Sequence, residues 1–202
     1  MTQPVHAVLT MVVCICSCCH ANVSAQAEGG SAPQSVTTFV DYEAPPPTLA
    51  GLWASAAVVV RGRVVGSSQR RHDSTARLSI PLIAYDFQVA DVLKSDAASL
   101  GTMTQITVLE HGGTITDQQG RTVTASPSAP KPYEPGQELI LFLNPSPLAG
   151  GFSVAYGAAG SFPIDKDEVR LPRAARSYNE FQGHETVPTA SFLAALRTLA
   201  KR

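Results

Sequence analysis

The four cysteines of this 202-residue chain, Cys14, Cys16, Cys18 and Cys19, fall within six consecutive positions near its start. No disulfide can therefore form between segments beyond residue 19, and whatever folds there must be held by apolar burial alone. The cysteines lie in the first apolar run, Ala7 to Cys19, which is thirteen residues long. A bilayer-spanning helix needs about 20 residues, so the run is too short to span and fits the apolar region of a secretory signal. Ala25-Gln26-Ala27 supplies the small residues of a cleavage site, which makes residues 1–27 a removable signal and Glu28 the expected mature N-terminus. The leading MTQPVH carries no Lys or Arg, a departure from the usual positive flank. Ile15-Cys16-Ser17-Cys18 also loosely resembles a bacterial lipobox, so the alternative to a secreted or periplasmic protein is a lipid-anchored lipoprotein. Zinc ligation by the cluster is disfavoured, because metal sites draw cysteine pairs from separated segments.

Residues 28–48 are rich in Ser, Ala, Gly and Pro and close on Pro45-Pro46-Pro47, a composition expected to form a disordered linker. Beyond it Leu49, Leu52 and Trp53 have helical spacing, which predicts a short helix with Trp53 plugged into the core. Five strands follow. Ala57 to Val65 sets Val58, Val60 and Val64 on one face and Arg61 and Arg63 on the other, with Gly62 marking a bend or bulge. Leu78 to Leu93 turns Tyr85, Phe87 and Val89 inward, and Gln105 to Glu110 alternates Ile106 and Val108. Leu139 to Leu143 is apolar throughout, so both of its faces must be covered. Phe152 to Tyr156 is the fifth, and a hairpin then pairs Phe162–Ile164 with Val169–Leu171. From Thr189 the stripe Phe192, Leu196, Leu199 predicts a C-terminal helix able to cover the fourth strand. Val60, Phe87 and Leu141 are the expected central core positions.

Short strands, polar turns and no alternating βαβ pattern predict a mainly β protein, a small antiparallel barrel or sandwich. Ala56-Ala57-Val58-Val59-Val60-Arg61-Gly62-Arg63-Val64-Val65, then Tyr85 to Lys94 and Gly136 to Leu143, resemble the barrel of the netrin-like and tissue-inhibitor-of-metalloproteinase superfamily. They also resemble uncharacterised secreted bacterial proteins that continue with a segment like Tyr156-Gly157-Ala158-Ala159-Gly160-Ser161-Phe162. The resemblance implies an OB-type, five-stranded antiparallel barrel over residues 49–171, leaving residues 172–202 as linker and C-terminal helix. It does not carry over protease inhibition. Inhibitors of that family chelate the target's zinc with a mature N-terminal cysteine, and this chain has none beyond residue 19.

The 15 Lys and Arg against 16 Asp and Glu leave a net charge of −1, with no imbalance pointing to nucleic acid or an anionic membrane. Gln69-Arg70-Arg71-His72 with Arg61 and Arg63 forms a local basic patch, but Tyr85 and Phe87 are assigned to the core instead of a stacking platform. His72, His111 and His184 lack metal-ligand spacing, and Asp165, Asp167 and Glu168 lack the rest of a calcium loop. No cofactor or metal is expected. Glu110-His111-Gly112-Gly113 reads as a strand-end turn, although it could pair a carboxylate with an imidazole. No nucleophile elbow or phosphate loop is present. The expectation is a monomeric, non-catalytic binding or accessory module for an unknown protein or envelope ligand, the rival being an envelope hydrolase built on Glu110 and His111. Its contact residues are expected on two polar loops, Arg70 and Arg71 in Gly66–Ala76, and Lys131 and Tyr133 in Ser126–Gly136.

Overall fold

The computed structural model describes residues 8–15, 19–26, 35–38, 44–75, 78–95, 104–117, 119–126, 132–148 and 150–201. In chain order the elements are β1 (Val8–Ile15), β2 (Cys19–Gln26), β3 (Ser35–Thr38), helix α1 (Leu49–Ser55), β4 (Val58–Thr75), β5 (Leu78–Ser95) and β6 (Gln105–His111). Then come β7 (Gly113–Thr116), β8 (Thr122–Ala125), β9 (Glu138–Ser146), β10 (Gly151–Val154), β11 (Ser161–Asp165), β12 (Glu168–Arg170), β13 (Thr186–Pro188) and helix α2 (Thr189–Leu199). The protein is mainly β, with one helix near the start of the larger unit and another at its C-terminal end. Two compact units are formed, one from Ala44–Ser68, Ala84–Leu109 and Ala129–Arg202, the other from Met1–Glu43, Gln69–Ile83 and Glu110–Ser128.

The larger unit holds a sheet of eight strands in the order β10-β6-β5-β4-β9-β11-β12-β13, larger than the five-stranded barrel expected because the expected hairpin, β11 and β12, and an unexpected strand, β13, join it. β10 pairs with β6 in parallel and with β9 antiparallel, so the pairings β4–β5–β6–β10–β9–β4 run in a closed circuit of five strands. The extra strands β11, β12 and β13 continue outward from β9, which therefore has neighbours on both sides at Leu139–Leu141.

Because successive strand residues face opposite ways, β4 and β9 divide the core into two layers. Val58, Val60, Val64, Leu139, Leu141 and Leu143 are buried on one face. Phe87 joins them: a side chain at Gly62 would meet its ring. Val59, Ile140 and Phe142 face the other way, into a cluster with Leu49 and Leu52 of α1 and Phe192, Leu193 and Leu196 of α2. The unbroken apolar run of β9 is thus covered on both sides, by α2 as its composition demanded. Each such buried Leu or Phe contributes about 1.5–3 kcal/mol through transfer from water. Phe162 ties the second layer together, its ring 5.3 Å from that of Phe142 and 4.9 Å from that of Phe192.

Helix α1 starts where Thr48 accepts the Gly51 N–H through its hydroxyl at 3.0 Å. It ends under Lys94, whose ammonium donates to the carbonyls of Trp53 at 2.9 Å and Ala56 at 2.5 Å. Trp53 itself lies partly buried against the α1–α2 cluster. The expected hairpin forms with Ile164 opposite Val169, and Lys166 and Asp167 at φ of 49° and 68° make its turn.

Three expectations change. The segment 172–188 is not a linker: Ala175, Tyr178 and Phe181 are buried in the helix-side core, and Val187 pairs with Val169. The fifth strand stops at Val154, since Tyr156 turns left-handed at φ 55° to begin the 3₁₀ turn Gly157–Gly160. Gly66–Ala76 is not a polar loop, because β4 continues as strand to Thr75, its polar run being paired rather than looped.

In the smaller unit, Val8–Ile15 pairs antiparallel with Cys19–Gln26, from Val8↔Gln26 to Ile15↔Cys19. Cys16 and Cys18, the centre of the lipobox-like motif, lie outside the described residues. A second sheet runs β3-β8-β7. Within the stretch expected to be a linker, Ser35–Thr38 is a strand parallel to β8, placing Val36 opposite Val123. Val123 and Ala125 are buried while Thr122 and Thr124 are half-buried, the alternation of a strand with one covered face. The turn between β7 and β8 is built on Asp117, whose carboxylate accepts from the Gln119 and Arg121 amides at 2.8 Å each.

Candidate functional site

The hydrolase alternative depends on Glu110 and His111. Glu110 and His111 are not on an exposed turn. Both are the last residues of β6, Glu110 buried at 3% exposure and His111 half-buried. The strand ends only at the glycines that follow, Gly112 donating to the Pro81 carbonyl at 3.2 Å and Gly113 sitting at φ 91°. As consecutive strand residues, Glu110 and His111 project to opposite faces of the sheet and cannot act together on one atom.

Burial holds the His111 imidazole well below its ordinary pKa, at about 4, and the nearby His72 adds to the effect. His111 is therefore neutral at physiological pH, with its Nδ1 buried and without a hydrogen-bond partner among the described residues. His184 is exposed on the larger unit, and His72 is half-buried on β4. Among the described residues no group of three or more His, Cys, Asp or Glu is placed to hold a metal ion. Asp165, Asp167 and Glu168 are hairpin-turn residues.

The expected contact residues separate. Arg70 and Arg71 are exposed on the far part of β4, where Arg71 Nε lies 3.1 Å from Asp73 Oδ1. Asp73 in turn accepts from the Ser79 hydroxyl at 2.6 Å. Lys131 lies outside the described residues. Tyr133 is buried, 6% exposed, with its ring centre 4.9 Å from that of Tyr85. The end of that loop is sewn to β4 by Gly136 N–H to Val64 O at 2.7 Å and Val64 N–H to Gln137 O at 3.0 Å. Tyr133 is thus an anchor that fixes the loop, not a side chain it presents.

Sequence reasoning gave Arg61 and Arg63 a common role in a basic patch, and the register divides them. Arg63 is the backbone partner of Glu138 across β4 and β9. Glu138 nevertheless bonds diagonally to Arg61, whose Nε and Nη2 each lie 2.7 Å from Oε1. Arg63 is exposed and, among the described residues, makes no ion pair. Gly62, Arg63, Gln88, Val89, Ala90 and Glu138 line an open groove of about 240 Å³. Only a glycine fits at position 62, since a Cβ would stand 2.1 Å from the Gln88 carbonyl oxygen. Alternation in the sequence shows which way each arginine points but not which strand residue lies opposite, so the pairing had no sequence signal.

No family model matches the chain, and no curated protein matches it.

Proposed function

We propose that this protein is an exported, non-catalytic binding or accessory module built on an OB-type barrel. The observation that carries the reading is the divergence of Glu110 and His111, which leaves the rival hydrolase without an assembled site. The closed circuit β4–β5–β6–β10–β9, with its one parallel pairing between β6 and β10, supports the OB-type architecture. Its inner face is filled by Val60, Val64, Phe87, Leu139 and Leu141, all within 2% of full burial, so recognition belongs on outer surfaces. Arg70 and Arg71, exposed on β4, remain the contact residues of the smaller unit. Export rests on the short apolar run and the Ala25-Gln26-Ala27 motif, with removal of residues 1–27 as the expected processing.

The test is affinity capture from the envelope fraction with the purified protein and an Arg70→Ala/Arg71→Ala variant. Capture of a discrete partner by the parent and its loss in the variant supports the module. A hydrolytic activity abolished by Glu110→Gln overturns it in favour of an enzyme.

A further inference from the structure

The unpaired arginine beside the β4–β5 groove has a feature that ordinary surface arginines lack. A carboxylate sits directly opposite Arg63 in the register, at Glu138, and is held away from it by the two 2.7 Å contacts with Arg61. Arg63 therefore keeps its full charge and all five donors while a neighbouring acid is already neutralised. Residues 61, 63 and 65 share one face of β4, so Arg63 is flanked by the Arg61–Glu138 pair on one side and by Val65 on the other. Val65 is 47% exposed and is the one large apolar side chain that stands out of the described surface. Across the groove, the exposed Gln88 amide adds a neutral donor, and Ala90, on the same face of β5, adds a short apolar wall.

The geometry points to this groove as a binding site for the carboxylate end of a short aliphatic chain, an inference that rests on the binding-module reading. The guanidinium fork of Arg63 takes both carboxylate oxygens, and Gln88 donates to one of them. Ala90 within the groove and Val65 beside Arg63 cover the first carbons. The shared chemistry is met by two sources, a free organic acid or the C-terminus of a peptide. The uncompensated charge favours an anionic end over a basic one.

Backbone amide shifts of Gly62 and Ala90 in the full-length, ¹⁵N-labelled protein provide the readout. The probes are butyrate, succinate, the peptide acetyl-Gly-Ala-Val and its C-terminal amide, each against sodium chloride at equal ionic strength. Saturable shifts confined to the groove are expected with the carboxylates and not with the peptide amide. Tighter binding of the peptide acid than of butyrate assigns the site to peptide C-termini, and the reverse assigns it to free acids. Arg63→Gln should weaken binding at least tenfold. Glu138→Gln, which frees Arg61, should tighten succinate severalfold, a gain that mere loosening of the strands would not produce. If the shifts are absent, or persist unchanged in Arg63→Gln with its fold intact by circular dichroism, the groove assignment is wrong. Arg70- and Arg71-dependent capture would stand in that event, which separates failure of this site from failure of the module reading.

Discussion

Arg121 closes the β7–β8 turn on Asp117, its Nε 2.7 Å from an Oδ2 whose side chain is only 2% exposed. Burial alone would raise the Asp117 pKa. The hydrogen bonds from the Arg121 amide and side chain and from the Gln119 amide, with the Arg121 charge, outweigh it and hold the carboxyl below its ordinary value. Asp117→Ala should cost about 2–3 kcal/mol, the worth of hydrogen bonds to a charged group, read as a lowered urea midpoint. The sign with pH follows: a depressed carboxyl stabilises fully above its unfolded pKa and loses that contribution as pH falls through the folded one. The stability difference between parent and Asp117→Asn should therefore be constant near neutrality and shrink below about pH 4. A difference that grows on acidification would contradict the assignment.

His111 shifts stability in the same direction with pH, but through a desolvated neutral form instead of a stabilised charge. Its folded pKa of about 4, lowered by burial first and His72 second, lies below the unfolded value, so the unfolded chain binds more protons between them. Stability should rise with pH from about 4 to about 6.5 through this residue. His111→Gln should flatten that slope in urea melts taken across the window. NMR titration showing the His111 ring protonated above pH 6 would refute the buried, neutral state.

Phe87 fills the inner face of the closed circuit at 0% exposure. Phe87→Ala should cost about 3–5 kcal/mol, whereas Val65→Ala, on an open surface, should stay within about 0.5 kcal/mol. Equal losses in thermal melts would mean that the two faces of the sheet have been confused.

Gly62 and Gly66 lie on the same strand and should respond differently to alanine. A Cβ at position 62 meets the Gln88 carbonyl oxygen at 2.1 Å and Phe87 Cε1 at 2.7 Å, while at position 66 the nearest atom is Asp86 Oδ2 at 3.8 Å. Gly62→Ala should destabilise by about 1–3 kcal/mol or more, since backbone must move. Gly66→Ala should be neutral or stabilising by up to about 1 kcal/mol, through the unfolded chain. The reverse order by denaturant melts would reject the close approach of β4 and β5.

The turn at Lys166 and Asp167 places two non-glycine residues at positive φ, of 49° and 68°. Lys166→Asn with Asp167→Gly should raise the melting temperature, because Asn-Gly suits two left-handed positions at less cost. A fall would indicate that these side chains hold contacts the turn needs.

Much of the β architecture was legible because burial on one or both faces writes itself into period two. Val58, Val60 and Val64 alternate as read, and the unbroken run at Leu139–Leu143 announced the helix that covers it. The polar residues of Gly66–Thr75 misled, because a strand that buries little carries no apolar signal and resembles a loop. Tyr133 misled for the converse reason: in a Pro-rich stretch nothing local reveals that one ring turns inward to Tyr85. The Arg61–Glu138 pairing joins residues 77 positions apart and depends on register, which no local pattern encodes.

With β10 closed onto both β6 and β9, the strand order of the eight-stranded sheet ends at β13 among the described residues. That end is three residues long, and Pro188, its last, has no N–H to offer an incoming strand. The end of this sheet is thereby guarded against pairing with an incoming strand, whereas the three-stranded sheet ends on β3 and β7. Extending β13 by Pro188→Thr would be the shortest route to making it fibril-prone.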